Sequence, residues 1–252
     1  MTRHNKQKAH NDVNGSPVRR SGGPRPARRL GYSGPSTSEI PTEDQLSDVV
    51  TGGTWNVRTL LQAGKLELLQ RELDRLRYDV VGLAEVRWPG SGQMAQGRFL
   101  YTGEQNGGEK GVAFFLSVRA KRALIEWLPI SSRVIVARFK GRKNNLSVLQ
   151  AYAPTADSND EDLEEFYDQV EEGLTKMPNR DLCVVTGDWN AKIGNNNAGW
   201  EHVMGQFGIG ERNERSERLL QFTQEKGLVY MQYEVSEQAI QEMDMDVTKW
   251  PK

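Results

Sequence analysis

The chain has 252 residues, with 33 Lys and Arg against 34 Asp and Glu, so its formal net charge is −1. This length fits one α/β domain of about 180 residues with a substantial core. The near-neutral charge excludes a protein that coats DNA through overall positive charge. No apolar run approaches the ~20 residues of a membrane span, and the N-terminus has no apolar stretch typical of a secretory signal, so neither is predicted.

Basic side chains are concentrated at the start of the chain. Residues 1–30 carry eight Lys or Arg and one acid, Asp12, which leaves 25 basic against 33 acidic side chains in the rest. Gly, Pro, Ser and Arg dominate residues 1–48 without apolar periodicity, so a disordered basic tail is predicted there. Two interpretations of the tail stay open: a segment that directs the chain to the nucleus or touches nucleic acid, and a leader with no role of its own.

The single cysteine, Cys183, lies inside an apolar run, which predicts a buried and inert thiol. One cysteine has no partner within the chain for a disulfide. This favours a reducing, intracellular compartment, and the nucleus is the expected one.

After the tail, strand patterns alternate with helix patterns. Leucines at spacings of three and four predict a helix over residues 62–77. A second helix is predicted to begin at Ser158, with Glu161 completing a capping box, and a third over 214–226, with Gly227 as its C-cap. The predicted strands are 80–84, 111–117, 123–128, 133–139, 146–152 and 181–186, with a candidate last strand over 228–233. This mixture predicts a layered α/β or α+β fold.

Polar residues stand at the ends of four hydrophobic runs. Asn56, Glu85, Tyr152 and Asp188 each end or follow such a run, and Asn190 lies two residues further on. Each has an ordinary structural explanation, such as a turn former, a solvated charge or a half-buried aromatic ring. Their occurrence in four successive places favours a functional site, because α/β proteins place their chemistry at strand ends.

The segments around these residues resemble the endonuclease/exonuclease/phosphatase superfamily, which includes deoxyribonuclease I and the apurinic/apyrimidinic endonucleases. The motifs are Trp55-Asn56-Val57-Arg58, Ala84-Glu85-Val86-Arg87-Trp88, Tyr152-Ala153-Pro154-Thr155 and Gly187-Asp188-Trp189-Asn190. Within the superfamily the chain is most similar to the endonuclease domain of RTE-type non-LTR retrotransposons, whose host relatives are the craniofacial development protein 2-like proteins. Residues 60–65, 210–215 and 218–222 carry this narrower resemblance.

The resemblance covers about Gly53 to Tyr230 and implies a deoxyribonuclease I-like fold. That fold is a four-layer sandwich of two β-sheets flanked by helices. We therefore expect a basic tail over 1–48, the superfamily domain over 49–233 and a non-family segment over 234–252.

The resemblance also implies metal-dependent hydrolysis of a nucleic-acid phosphodiester, with DNA the expected substrate and no membrane partner. It makes Glu85, with Asn56 beside it, the ligand of a Mg²⁺ or Mn²⁺ ion. Asp188 would orient or deprotonate the attacking water, Asn190 would hold a phosphate oxygen, and Tyr152 would support the phosphate. The candidate contacts to the nucleic-acid backbone are Arg87, Trp88, Arg212 and Arg215.

The superfamily site is completed by a late Asp and a terminal Ser-Asp-His motif, and neither is recognisable after Tyr230. The histidines of the chain are His4, His10 and His202. We therefore expect a domain that lacks its C-terminal strands and has weak or absent turnover. Two alternatives stay open: a non-catalytic remnant that binds nucleic acid or a partner protein, and a phosphoinositide or lipid phosphodiesterase. The sequence leaves the oligomeric state open.

Overall fold

The computed structural model describes residues 44–206 and 210–231. Most of the predicted basic tail, residues 1–43, lies outside the described residues. So does the end of the chain, residues 232–252, which includes the predicted non-family segment. The expectation that C-terminal strands are missing concerns that same end.

Nine strands and four helices follow one another in the described ranges. The strands are β1 Gly52–Asn56, β2 Val80–Ala84, β3 Ser91–Met94, β4 Phe99–Thr102, β5 Val112–Leu116, β6 Leu124–Pro129, β7 Val134–Phe139, β8 Leu146–Tyr152 and β9 Leu182–Asp188. The helices are α1 Lys65–Leu73, α2 Val118–Ala123, α3 Asp160–Thr175 and α4 Glu214–Glu225.

The strands form two sheets of mixed direction. Sheet 1 has the order β1-β2-β5-β4-β3, and sheet 2 has the order β6-β7-β8-β9. β1 runs parallel to β2 and β8 runs parallel to β9, whereas the other neighbouring strands are antiparallel. Each sheet therefore has one parallel pair, which lies at an edge of the sheet.

Three apolar clusters show how the layers stack. Alternate residues of a strand face opposite sides of the sheet, so Phe114 packs with Ile135 between the sheets, while Phe115 packs with Leu69 of α1 on the outer face of sheet 1. On the outer face of sheet 2, Phe166 of α3 belongs to a cluster that also includes residues of α4. The predicted sandwich of two sheets between helices is confirmed.

The helix ends differ in part from the predictions. α1 is shorter than 62–77, and Leu76 beyond its end is 50% exposed. α3 begins after Asn159, whose side chain accepts a hydrogen bond from the Asp162 backbone N–H, so the predicted capping box at Ser158 was one residue early. α4 ends as predicted, with Gly227 at a φ of 63° just beyond it.

The prediction of a buried Cys183 is wrong. β9 is an edge strand among the described residues, and Cys183 is exposed. Its neighbours Leu182 and Val184 are also exposed, at 63% and 40%. An apolar run at a sheet edge lacks the second neighbouring strand that would cover it, and the sequence pattern alone does not reveal the edge.

The packed structure also begins earlier than predicted. Leu46, which was placed in the tail, is 1% exposed, and its backbone N–H donates to the Lys140 carbonyl at 2.8 Å. Tyr230, in the candidate last strand, makes only an isolated bridge with Met204 among the described residues. In the same part of the chain, no helix is long and apolar enough to cross a membrane.

Candidate active site

The two parallel strand pairs place the predicted site residues side by side. In sheet 1, Asn56 at the end of β1 is in register with Ala84 at the end of β2, and Glu85 follows directly. In sheet 2, Tyr152 at the end of β8 is in register with Asp188 at the end of β9. Since parallel strands end at the same edge, each sheet presents two of these four residues there.

Asn56 joins the two sheets at this point. Its Nδ2 donates to Glu85 Oε1 at 2.7 Å and to Asp188 Oδ2 at 2.9 Å, while its Oδ1 accepts from the Arg58 backbone N–H at 3.0 Å. The opposite amide orientation would place an oxygen against two carboxylates, so the contacts define this one. Asn56 therefore presents its NH₂ group to the acids, and the metal ligation predicted for it requires the amide to rotate.

Glu85 is surrounded by hydrogen-bond donors. Its burial raises the pKa, but the hydrogen bonds from Asn56 and Arg87, the Arg87 charge and a hydrogen bond with Tyr152 outweigh it, so the pKa is lowered from 4.5. The Arg87 Nη2–Glu85 Oε2 distance is 2.9 Å. Glu85 is therefore ionised at neutral pH, the state that a cation requires of a ligand.

Tyr152 is held by both a carboxylate and a guanidinium. Burial, reinforced by the nearby Glu85 charge, raises its pKa to about 12. The Arg133 guanidinium lies 5.2 Å from the centre of the Tyr152 ring and donates to the Tyr152 carbonyl at 3.1 Å. The phenol is thus a hydrogen-bond donor at neutral pH, and Arg133 fixes the strand end that carries it. Arg133 was not among the predicted site residues.

Asp188 and Asn190 form a turn that is tied to β8. The Asn190 backbone N–H donates to Asp188 Oδ1 at 3.3 Å, and Asn190 Nδ2 donates to the Ala153 carbonyl at 2.8 Å. The Asp188 carbonyl in turn accepts from the Ala153 N–H at 2.8 Å. One N–H of the Asn190 amide lacks a hydrogen bond in this set, so it is available to a ligand.

Backbone strain is concentrated around these residues. Of the seven non-glycine residues with positive φ in the described chain, five follow the ends of β1, β2 and β9: Arg58 (48°), Thr59 (95°), Glu85 (57°), Arg87 (62°) and Asn190 (48°). Such residues cost about 1–3 kcal/mol each and persist where the surroundings impose them, often at functional sites.

The four predicted nucleic-acid contacts already have partners within the protein. Arg87 pairs with Glu85, and its Nε is buried without a hydrogen-bond partner in the described structure. Trp88 donates to the Leu60 carbonyl at 2.9 Å and packs against Phe99.

Arg212 and Arg215 use their guanidinium groups in a similar way. Arg212 donates to the carbonyls of Ile193 and Asn196. Arg215 donates to the carbonyls of Ala156 and Ser158. The assignment of all four residues to nucleic acid stays a prediction. The three arginines would have to contact a phosphate through their remaining N–H groups, whereas the single indole N–H of Trp88 is already used by the Leu60 carbonyl.

Arg58 is a basic residue beside the site that the sequence analysis did not single out. It follows Asn56 by two residues and is exposed. The signal was present in the sequence, since Arg58 is the last residue of the Trp55-Asn56-Val57-Arg58 motif. His202, by contrast, lies exposed in a turn that precedes Val203.

The donor set fits a hard divalent cation better than zinc. Mg²⁺ takes oxygen ligands, keeps several waters and is commonly held by one or two carboxylates, and Glu85 and Asp188 supply two. Zinc sites use three or four His, Cys or acidic ligands. Within residues 44–206 and 210–231 no group of three or more such side chains could hold a metal ion.

Comparisons with known proteins agree with the sequence motifs. Residues 53–210 match the Endonuclease/Exonuclease/phosphatase family. Craniofacial development protein 2 from Bos taurus and from Tragulus javanicus are each 35% identical over 179 residues. The match covers 70% of this chain and 30% and 31% of those proteins, so the chain spans about a third of their length.

The chain also has some similarity to two solved structures. The endonuclease domain of TRAS1, a telomere-specific non-LTR retrotransposon, has 18% identity and a TM-score of 0.47, covering 74% of this chain and 75% of that one. The 3′ phosphatase NExo from Neisseria, bound to product DNA hairpin, has 17% identity and a TM-score of 0.47, covering 70% and 71%. With the family match spanning more than half of its residues, the chain belongs to the endonuclease/exonuclease/phosphatase family.

Proposed function

We propose that this domain is a metal-dependent phosphodiesterase of nucleic acid, with DNA as its substrate. One observation carries the proposal. Two carboxylates from different sheets, Glu85 and Asp188, share a single amide donor, Asn56, at the ends of two parallel strand pairs. Two carboxylates that share one amide donor repel each other, and a cation bound between them would offset that repulsion.

Glu85 and Asp188 would hold a Mg²⁺ or Mn²⁺ ion, with the Asn56 oxygen joining them after rotation of its amide. The ion, when bound, would neutralise charge that develops on the phosphoryl and leaving oxygens. Arg87 occupies one oxygen of Glu85. Ligation of the ion by that oxygen would release Arg87, whose charge would then be available to a phosphate.

The remaining residues would position and activate the water. Asp188 would take a proton from the water as the water oxygen attacks phosphorus. The ester P–O bond would break, and the leaving oxygen would acquire a proton from solvent. The free N–H of Asn190 would donate to a non-bridging phosphate oxygen. Tyr152, whose pKa of about 12 keeps it protonated at neutral pH, would donate a second hydrogen bond to the phosphate by turning its single O–H away from Glu85.

Arg58 would supply a phosphate contact outside the chemical site. It is exposed, and it lies in a loop whose backbone is tied to the segment carrying Glu85, since the Thr59 N–H donates to the Glu85 carbonyl at 2.8 Å. An exposed guanidinium on this loop would attract the phosphate backbone that the two acids alone would repel.

We expect slow turnover by the 252-residue polypeptide. The site as described has no histidine to stabilise the phosphoryl group, and both acids are engaged by Asn56, with Arg87 also on Glu85. These same contacts satisfy the acids without a cation. They favour, as a second candidate function, a non-catalytic remnant that binds nucleic acid or a partner protein.

Nicking of supercoiled plasmid in Mg²⁺ or Mn²⁺ tests the proposal, with Glu85→Gln and Asp188→Asn as site variants. Glu161→Gln, an exposed acid on α3, is the matched control. We expect slow nicking that both site variants abolish and the control retains. Nicking that survives both site variants would refute the proposal. DNA binding without nicking, in a protein whose melting temperature does not respond to either metal, would support the remnant instead.

A further inference from the structure

A polar contact between the sheets lies directly beneath the candidate active site. Gln150 of β8 is fully buried, and its Nε2 donates to Thr54 Oγ1 of β1 at 3.1 Å. Thr54 precedes Asn56 by two residues, and Gln150 precedes Tyr152 by two. Because side chains alternate along a strand, each residue of this contact points to the same face as the site residue above it.

The room for this contact comes from Gly82 of β2, which is in register with Thr54. A Cβ at position 82 would lie 1.9 Å from Gln150 Oε1 and 2.4 Å from Gln150 Cδ. Any side chain there would displace the carboxamide. The pair of strands that carries Asn56 and Glu85 is therefore shaped to accept a side chain from the other sheet.

Away from the site and this contact, apolar side chains such as Phe114 and Ile135 pack between the sheets. Apolar contacts favour burial but are non-directional, so they tolerate small shifts of one sheet along the other. A hydrogen bond between Thr54 and Gln150 fixes that register, because the buried carboxamide has few other partners and losing one is costly. Its other side-chain contacts among the described residues are a long hydrogen bond from Thr54 Oγ1 to its Oε1 at 3.4 Å and a 3.5 Å contact of its Nε2 with the neighbouring Ala151 carbonyl.

We propose that Gln150 is a positioning residue for the site, acting through Thr54. The hydrogen bond between Thr54 and Gln150 sets the distance between the two sheets at which Asn56 can donate both to Glu85 of its own sheet and to Asp188 of the other. A displacement of about 1 Å is enough to weaken such an arrangement. The expected effect on metal binding rests on the proposed function, whereas the effect on the position of Asn56 does not.

The test uses the full chain with Thr54→Val, Gln150→Met and the double variant, each close in volume to the native side chain. Ser147→Ala is the control. Ser147 lies on the same strand, is fully buried and donates to Asp181 at 2.7 Å, so its loss also removes a buried hydrogen bond, but at the far end of β8.

The first readout is the side-chain NH₂ cross-peak of Asn56 in an NMR spectrum, assigned by its loss in Asn56→Asp. We expect it to move in Thr54→Val, Gln150→Met and the double variant, and to stay in place in Ser147→Ala. A cross-peak that does not move, or that moves equally in Ser147→Ala, overturns the inference whether or not the protein binds a metal.

The second readout is the dissociation constant for Mn²⁺ alone. We expect each single variant to bind Mn²⁺ about tenfold more weakly, which is the lower end of the roughly 10–100-fold range for residues that orient metal ligands. The double variant should show no further loss. Losses that multiply in the double variant would overturn the inference, because the two residues would then act separately. Wild-type protein that binds no Mn²⁺ while the cross-peak shifts as expected would refute the proposed function and leave the positioning role standing.

Discussion

Replacing Asn56 with Asp is the sharpest perturbation of the site. The change keeps the shape of the side chain but replaces a donor with an acceptor, so the bonds of 2.7 and 2.9 Å to Glu85 and Asp188 become repulsions. A hydrogen bond to a charged group contributes about 1.5–3 kcal/mol. Two such bonds between half-buried groups, discounted for partial exposure, give a loss of about 3 kcal/mol at neutral pH.

For a domain of this size, each kcal/mol corresponds to about 2–4 °C in melting temperature, so the variant should melt about 6–12 °C lower at pH 7. Part of the loss should return near pH 5, because one proton shared among three carboxylates relieves the repulsion. Mn²⁺ should stabilise the variant more than it stabilises the wild-type protein, since a third carboxylate strengthens the attraction to a cation.

Differential scanning calorimetry at pH 7 and pH 5, with and without Mn²⁺, measures all three effects. Asn106→Asp, at an exposed position, adds the same charge away from the described contacts of Asn56 and serves as the control. If Asn56→Asp melts within a degree of Asn106→Asp at pH 7, the amide does not bridge the two acids and the site does not have the geometry described.

Four further outcomes follow from the contacts described above. The pKa of Glu85 lies below 4.5 in the folded protein. The stability that the ionised carboxylate contributes is therefore present above about pH 4.5 and is lost as pH falls through the folded pKa. Glu85→Gln should make the midpoint of urea unfolding depend less on pH over this acid range. Burial raises the pKa of Tyr152 and of Tyr167 to about 12, so two tyrosines should ionise late in an absorbance titration at 295 nm, and Tyr152→Phe should remove one of them. Arg215→Ala should lower the free energy of unfolding in urea by about 1–2 kcal/mol, because two backbone carbonyls lose their hydrogen bonds. Arg58→Ala should leave stability unchanged and should reduce the slope of log K for DNA binding against log salt concentration by about one, the value for one phosphate contact.

The strongly patterned elements of the fold were predictable from the sequence. β2 and β5 are continuous runs of apolar residues and glycine, β7 and β8 are mostly apolar, and α3 and α4 have clear stripes and polar N-caps. β3 was missed because its sequence, Ser-Gly-Gln-Met, has no strand pattern of its own; it forms by pairing with β4. α2 was missed because it has only six residues, and its signal is a single cap, Ser117, whose hydroxyl accepts from the Ala120 N–H.

The site was predictable in its members but not in its contacts. The sequence places Asn56, Glu85, Tyr152 and Asp188 at strand ends, yet it does not say which atom of an amide faces which acid. It also gives no warning of Gln150, because a glutamine in an apolar run is equally compatible with an exposed edge. Only the register that places Thr54 beside Gly82 shows that the Gln150 side chain packs into the opposite sheet.

The direction of the strands explains why these residues converge. In an antiparallel pair the end of one strand lies beside the start of the next, so polar residues that follow two such strands lie at opposite edges. Here the residues at issue follow the two parallel pairs, β1 with β2 and β8 with β9. The two pairs face each other across the sandwich, and the Asn56–Asp188 hydrogen bond, between residues 132 positions apart, closes the gap. A shift of one residue in either parallel register would turn Asn56 or Asp188 away from that gap, because alternate side chains face opposite sides. The site therefore depends on two registers at once. A hydrogen bond between Thr54 and Gln150, two residues before Asn56 and Tyr152, would hold the two sheets in place and so matter more for the site than for stability.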